Sequence, residues 1–207
     1  MNMFERIHGT FIQERRVHRL VRHLDAIIPH NARVLDIGCG NGQLAAILRN
    51  ERPDITIEGL DVLKRANSYI PVRAFDGVRI PYETASVDVV MFIDVLHHVN
   101  EPIVLMREAL RVSKGAIVIK DHLCDGWFAR PILKFMDRVS NARYGVALPG
   151  NYFRISQWNN MFRALNLKPV EWRQELRLYP SILDLVFGRS LHFVAKLHVG
   201  EIALHRP

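Results

Sequence analysis

The stretch "VLDIGCGNG", residues 34–42, decides the fold. An apolar run ends in Asp36, and glycines follow at Gly38, Gly40 and Gly42. A short apolar run of this kind reads as a buried strand. Behind it, "NGQLAAILRN" has helical spacing at Leu44, Ile47 and Leu48. Strand, glycine turn and helix form the opening of a doubly wound sheet, in which ligands bind outside the carboxyl ends of the strands. Glycine lets the backbone turn sharply and lets a ligand approach without meeting a Cβ. The turn is therefore expected to face a ligand.

Further strands follow at "ITIEGLD" (55–61), "IPVRAFDG" (70–77), "SVDVVMFIDV" (86–95) and "GAIVIKDH" (115–122). "EPIVLMREALRV" (101–112) reads as a helix with Pro102 in its first turn. Strands alternating with helices predict an α/β fold, a mostly parallel sheet with helices on both faces. One spacing is awkward. Only residues 62–70 join the second and third strands, whereas a parallel crossover needs about a dozen residues. Either a very short crossover helix or shifted strand ends are expected there.

The flanks extend this core. In "ERRVHRLVRHLDAII" (14–28), Val17, Leu20, Val21, Leu24, Ile27 and Ile28 share one helical face, and Pro29 stops the helix. That face is expected to pack on the domain, although a basic amphipathic helix can also lie on a membrane. Beyond residue 122, "WFARPILKFMDRVSNARYG" reads as an amphipathic helix with Pro131 near its start. "SQWNNMFRALN" is a second helix, with Ser156 as its N-cap. "LKPVEWRQELRL" and "SLHFVAKLHVG" read as strands pairing antiparallel at the sheet edge, with an apolar insertion across 176–190. The chain is expected to be one domain: a cap helix (1–30), a ligand-binding core (31–122), and helices with a closing β-hairpin (123–207).

Composition narrows the class. The 207 residues suffice for one domain with a sizeable core. No run of about 18 apolar residues exists, and the first residues lack the hydrophobic stretch of a secretory signal. Two distant cysteines, Cys39 and Cys124, suggest no disulfide framework and fit a reducing cytoplasm. No Cys/His spacing resembles a zinc site, so no metal is expected. Residues 127–207 carry as much net positive charge as the whole chain, whose formal net charge is +7. Such a surface could face an anionic substrate, lipid headgroups or RNA, or simply be solvated.

The acids narrow the ligand. A pyrophosphate-binding G-x-G-x-x-G turn would need glycine where Gln43 stands. Asp36, just before the glycines, suits a ligand carrying a positive charge. Asp61 ends the second strand, where a carboxylate can accept from vicinal ribose hydroxyls. Asp76 lies beyond the third strand, placed to accept from an adenine amino group.

The combination of "VLDIGCGNG", "GLDV" and "FDGVRIPYETASVDVVMFIDVLHHV" resembles class I S-adenosylmethionine-dependent methyltransferases. The "DVLHHV" ending is similar to small-molecule enzymes of the ubiquinone/menaquinone-biosynthesis type. The resemblance covers roughly residues 30–122. It implies a Rossmann-like, seven-stranded sheet whose last strand is antiparallel, and S-adenosylmethionine as cofactor. It implies cofactor contacts by Gly38, Cys39, Gly40, Asp61, Val62, Asp76, Gly77, Ile93 and Asp94, with Asp36 near the methionine end.

Methyl transfer from a sulfonium is an in-line displacement, so the enzyme mainly aligns the acceptor and excludes water. A base is needed only where the acceptor loses a proton. His122, oriented by Asp121, is the preferred base at the end of the fifth strand, with His98 as the other catalytic candidate. His97 is a candidate substrate contact. The acceptor pocket is expected from residues 123–165 and 176–190, with Arg130, Arg143 and Tyr144 among its lining. Tyr152 and Arg154, beside a loop, are the residues expected to touch substrate. An apolar acceptor with an acidic group, or a lipid-like one, would fit. Two alternatives stay open. The basic C-terminal third favours a nucleic-acid methyltransferase, but the (D/N)-P-P-(Y/F) motif is missing and no stacking platform is visible. A non-catalytic cofactor-binding scaffold is the other, since fold alone does not prove activity.

Overall fold

The computed structural model describes residues 3–63, 65–141, 150–188 and 190–200, with side chains at 12–63, 65–139, 150–188 and 190–200. The strands are β1 (Arg33–Ile37), β2 (Thr56–Asp61), β3 (Val72–Ala74), β4 (Val87–Ile93), β5 (Ser113–His122), β6 (Lys168–Arg173) and β7 (His192–His198). They form one seven-stranded sheet in the order β3-β2-β1-β4-β5-β7-β6. β1 to β5 run parallel. β7 lies antiparallel between β5 and the edge strand β6. Strand order reverses between β1 and β4, which opens the ligand crevice at their carboxyl ends.

The helices are α1 (Met3–Asp25), α2 (Gln43–Glu51), α3 (Pro102–Val112), α4 (Ala129–Asn141) and α5 (Ile155–Ala164). β1, β4 and β5 are buried along nearly their whole length, as a sheet covered on both faces requires. One apolar layer joins Leu35, Phe92 and Ile117 to Met106 of α3 and Trp158 and Phe162 of α5. The other joins Val34, Met91 and Val118 to Leu20, Val21 and Leu24 of α1 and Ala45 and Leu48 of α2. The described apolar face of α1 is thus buried against the domain and does not serve a membrane.

Four local expectations are corrected. α1 begins at Met3, well before residue 14, and ends at Asp25; Ile27 and Ile28 follow it but stay buried. β3 shrinks to three residues, and no helix is described between β2 and β3. That crossover leans on the glycine turn instead. The Tyr69 N–H donates to the Asn41 carbonyl (2.9 Å), and Ile70 sits where a Cβ on Gly42 would be, 2.4 Å away. α5 is not capped by Ser156. Its first N–H groups are met by Asp125, which accepts from Ile155 (2.8 Å), while Gln157 accepts from Arg154 (2.9 Å). The strand expected over "LKPVEWRQELRL" stops at Arg173, and Leu176 and Leu178 dive into the layer under α1.

Candidate active site

All three glycines of the turn have left-handed backbone: φ is 71° at Gly38, 61° at Gly40 and 73° at Gly42. Their reasons differ. A Cβ on Gly38 would meet Val95 at 2.6 Å, and one on Gly42 would meet Ile70. A Cβ on Gly40 would meet nothing within 4 Å. Gly40 is therefore the member that faces open space, while its neighbours are packing glycines. Asp61 holds the turn, accepting from the Gly40 N–H (2.7 Å) and the Leu63 N–H (2.8 Å).

Asp36 is 3 % exposed, and its Oδ1 has no hydrogen-bond partner among the described residues. Burial, and then the nearby Asp61 charge, push its carboxyl up to about 8. A buried acceptor without a donor beside an open glycine suits a ligand bringing a cationic N–H group. Asp76 is exposed and accepts from the Val78 and Arg79 N–H groups (2.8 and 2.7 Å), which hold it below its ordinary value. A Cβ on Gly77 would lie 3.0 Å from Val62, so Val62, Asp76 and Gly77 do converge beyond β2 and β3.

At the ends of β4 and β5 lies a dense polar cluster. Asp94 takes a left-handed backbone, with φ 56°. It accepts from Arg16 of α1 (2.6 Å) and from the fully buried Lys120 of β5. Burial alone would raise the Asp94 carboxyl, but Lys120 and then Arg16 hold it well below its ordinary value. His97 pairs through Nδ1 with Asp121 (2.6 Å), and its Nε2 lies 3.5 Å from Asp137. Burial opposes the charge on His97, yet Asp121 and Asp137 lift it to about 10. His98 is pushed down to about 4 by burial and then by His97. His122 is lowered by the same two causes. Its Nε2 lies 3.7 Å from both Asp94 and Asp137, and its Nδ1 lies 3.1 Å from His192 Nδ1.

One pairing is corrected. Asp121 does not orient the His122 ring; its carboxylate holds His97, the Leu96 N–H (3.0 Å) and the His122 backbone N–H (2.7 Å). The His122 ring stays in the same cluster, with a ring nitrogen within 4.8 Å of the Asp121 carboxylate, but the partner of that carboxylate is His97, from beyond the end of β4. His97 is 1 % exposed and is held inside the cluster by Asp121.

A cavity of about 280 Å³ lies beside this cluster, lined by Cys124, Phe128, Arg130, Tyr152, Arg154 and Gln157, among others. Tyr152 donates to Asp137, and its ring lies 6.1 Å from that of His122. Arg143 and Tyr144 lie outside the described residues. A larger hollow of about 680 Å³ follows the loop from Ala74 to Thr84, including Asp76 but neither Gly40 nor Asp61.

A methyltransferase-domain family model matches residues 8–171. The chain belongs to the class I S-adenosylmethionine-dependent methyltransferases. It is 30 % identical over 201 residues to the demethylmenaquinone methyltransferase of Renibacterium salmoninarum, covering 94 % of this chain and 81 % of that one. It is 31 % identical over 122 residues to the 27-O-demethylrifamycin SV methyltransferase of Amycolatopsis mediterranei, covering 51 % of this chain but only 44 % of that relative. An S-adenosylmethionine-dependent methyltransferase of Aquifex aeolicus shares the fold, with a TM-score of 0.61, 14 % identity and 89 % of each chain covered. S-adenosylmethionine is the cofactor of this methyltransferase, and the orphaned Asp36 oxygen and open Gly40 fit it.

Several members of the methyltransferase's polar cluster carried little signal in the sequence. Arg16, Asp137 and His192 join it from α1, α4 and β7. Lys120 had one cue, a lone cation inside the apolar run "AIVIKDH". Where no metal was expected, the fold assembles two triplets with metal-donor spacing, His97–Asp121–His122 and His97–His98–Asp137, each with ligand atoms within 4.8 Å of one another.

Proposed function

We propose that this methyltransferase methylates an oxygen or carbon of a small apolar acceptor that carries an acidic group, as a quinol precursor does. The carrying observation is the cavity in which Phe128 and Tyr152 share the wall with Arg130 and Arg154, next to the histidine cluster. The name of the Renibacterium relative favours the same acceptor class.

When bound, S-adenosylmethionine supplies the electrophilic methyl group. Asp36 accepts the methionine ammonium, Asp61 accepts from the ribose hydroxyls, and Gly40 lets the ligand pass close to the backbone. Val62, Asp76, Gly77 and the chain at Ile93 border the adenine. Arg154 and Arg130 hold the acceptor's acidic group, and Tyr152 packs on its ring. His122 takes the acceptor's proton where one is lost, since burial keeps its imidazole neutral and its ring is close to Tyr152. His97, fixed by Asp121, keeps His122 and Asp137 in place.

Calorimetric titration of S-adenosylmethionine tests the cofactor half. Asp61→Ala is expected to weaken binding by about 1–3 kcal/mol, the cost of leaving polar partners unpaired. The acceptor half is tested by labelled methyl transfer to phenolic acids and naphthoquinols. There, Arg154→Ala is expected to raise KM for acidic acceptors with little change in kcat, as loss of uniform binding does. Labelling of RNA in place of these acceptors would favour the nucleic-acid reading. Cofactor binding without transfer to any acceptor would favour the scaffold.

A further inference from the structure

The outer face of α4 has two ridges, each with a four-residue step. Arg130, Lys134 and Arg138 form one and are all exposed. Pro131, Phe135 and Val139 form the other, with Phe135 58 % and Val139 63 % exposed. The only acid of the helix, Asp137, is buried on the inner side with Leu133. At the helix entry, Trp127 is 91 % and Phe128 71 % exposed.

The insertion before β7 continues the same face. Residues Asp184–Gly188 form a wide helical turn packed on α4, and Phe187 stacks on Phe135 with ring centroids 6.3 Å apart. Beside it, Ile182 is 81 % and Leu185 71 % exposed. A single exposed apolar side chain is ordinary. Large apolar residues gathered on two adjoining elements and flanked by cations mark a binding surface. The chemistry matches a helix lying in a membrane interface, with an apolar strip below and Lys/Arg beside it.

We propose that α4 and the 181–188 turns dock on an anionic bilayer surface. Phe135, Val139, Ile182 and Leu185 enter the headgroup layer, and Lys134 and Arg138 meet lipid phosphates. The acceptor cavity is walled by Phe128, Arg130 and Pro131 of the same helix entry, so a lipid-like acceptor would pass from bilayer to cavity along α4. That last step rests on the function proposed above; the docking does not.

The test is co-sedimentation of the full chain with phosphatidylcholine vesicles, with and without phosphatidylglycerol, without cofactor or acceptor. Binding is expected only with phosphatidylglycerol, weakening as salt is raised. Trp127 emission should shift to the blue, and Trp127→Phe should remove most of that shift while binding persists. Lys134→Gln with Arg138→Gln should weaken binding about thirtyfold, the effect of losing two surface cations. Ile182→Asp with Leu185→Asp should weaken it further, and both pairs, lying on the surface, should leave the thermal melt unchanged. Binding to neither vesicle, equal binding to both, or insensitivity to both pairs of substitutions overturns the proposal. So does a dimer in solution that the Ile182 and Leu185 substitutions dissolve, because the face then serves a second copy. S-adenosylmethionine titration of the same samples separates the two readings. Retained cofactor binding without docking sinks the docking alone, and docking without cofactor binding sinks the catalytic reading.

Discussion

Asp94→Ala is expected to lower folding stability by about 3–5 kcal/mol, because it strands a buried charge. Lys120 is completely buried, and Asp94 is the carboxylate its ammonium reaches. Among the described residues its other polar neighbour within hydrogen-bond distance is His192 Nδ1 at 3.4 Å, which cannot neutralise a cation. Burial already pushes the Lys120 ammonium down, and Asp94 is the chief opposing influence. Removing Asp94 also frees Arg16, so α1 loses its tie to the end of β4. Replacing both members of such a pair by apolar residues of similar size is often neutral, so Asp94→Ala with Lys120→Met should recover most of the loss. Urea denaturation of the two single variants and the double variant measures this coupling. A loss below about 1 kcal/mol in Asp94→Ala would mean that water reaches Lys120, and the cluster would count as a surface network.

The glycine turn was legible because its signal is local. Asp36, three spaced glycines and an apolar strand occupy nine consecutive residues, and the backbone there must do what glycine permits. What each glycine does was not legible. Gly42 is bare because Ile70 packs on it, and Ile70 arrives through a crossover with no described helix. The same distance problem hid the cap of α5, where Asp125 acts from thirty residues upstream. It also misassigned Asp121. Adjacency favoured His122, whose ring does lie in the same cluster, but the carboxylate pairs with His97, which reaches it from beyond the end of β4. Tyr152 and Arg154 do line a cavity, and the cue that singled them out was the loop between two helical patterns. The helical pattern over 127–145 did not say what its apolar strip meets, since an amphipathic pattern is the same whether that strip meets protein or lipid. Exposure of Phe135 and Trp127 is a tertiary fact.

Affinity for S-adenosylmethionine is expected to rise with pH until about 8, through Asp36. In the cofactor-free protein, burial and then Asp61 raise this carboxyl from 3.8 to about 8, so at neutral pH it is mostly protonated. The sign for the protein alone follows from that shift. The folded state prefers the neutral form, so its share of stability is full below about pH 4 and is lost as pH rises through 8. A ligand ammonium beside Asp36 reverses the preference, because an opposite charge favours the carboxylate. Binding below pH 8 must then expel a proton, which costs up to tenfold in affinity for each unit of pH. Between pH 6 and 8 the association constant should rise by up to about a hundredfold. Cys39, the titratable neighbour in the turn, does not interfere, because burial and the two aspartates push its thiol far above this window. Calorimetry across that range, in buffers of different ionisation enthalpy, reads both the affinity and the released proton. Asp36→Asn should bind more weakly at pH 8 and show a flat profile, since it can accept from the ammonium but has no proton to lose. A flat profile in the unmodified protein would place the ammonium away from Asp36, and the orphaned oxygen would then need a different donor.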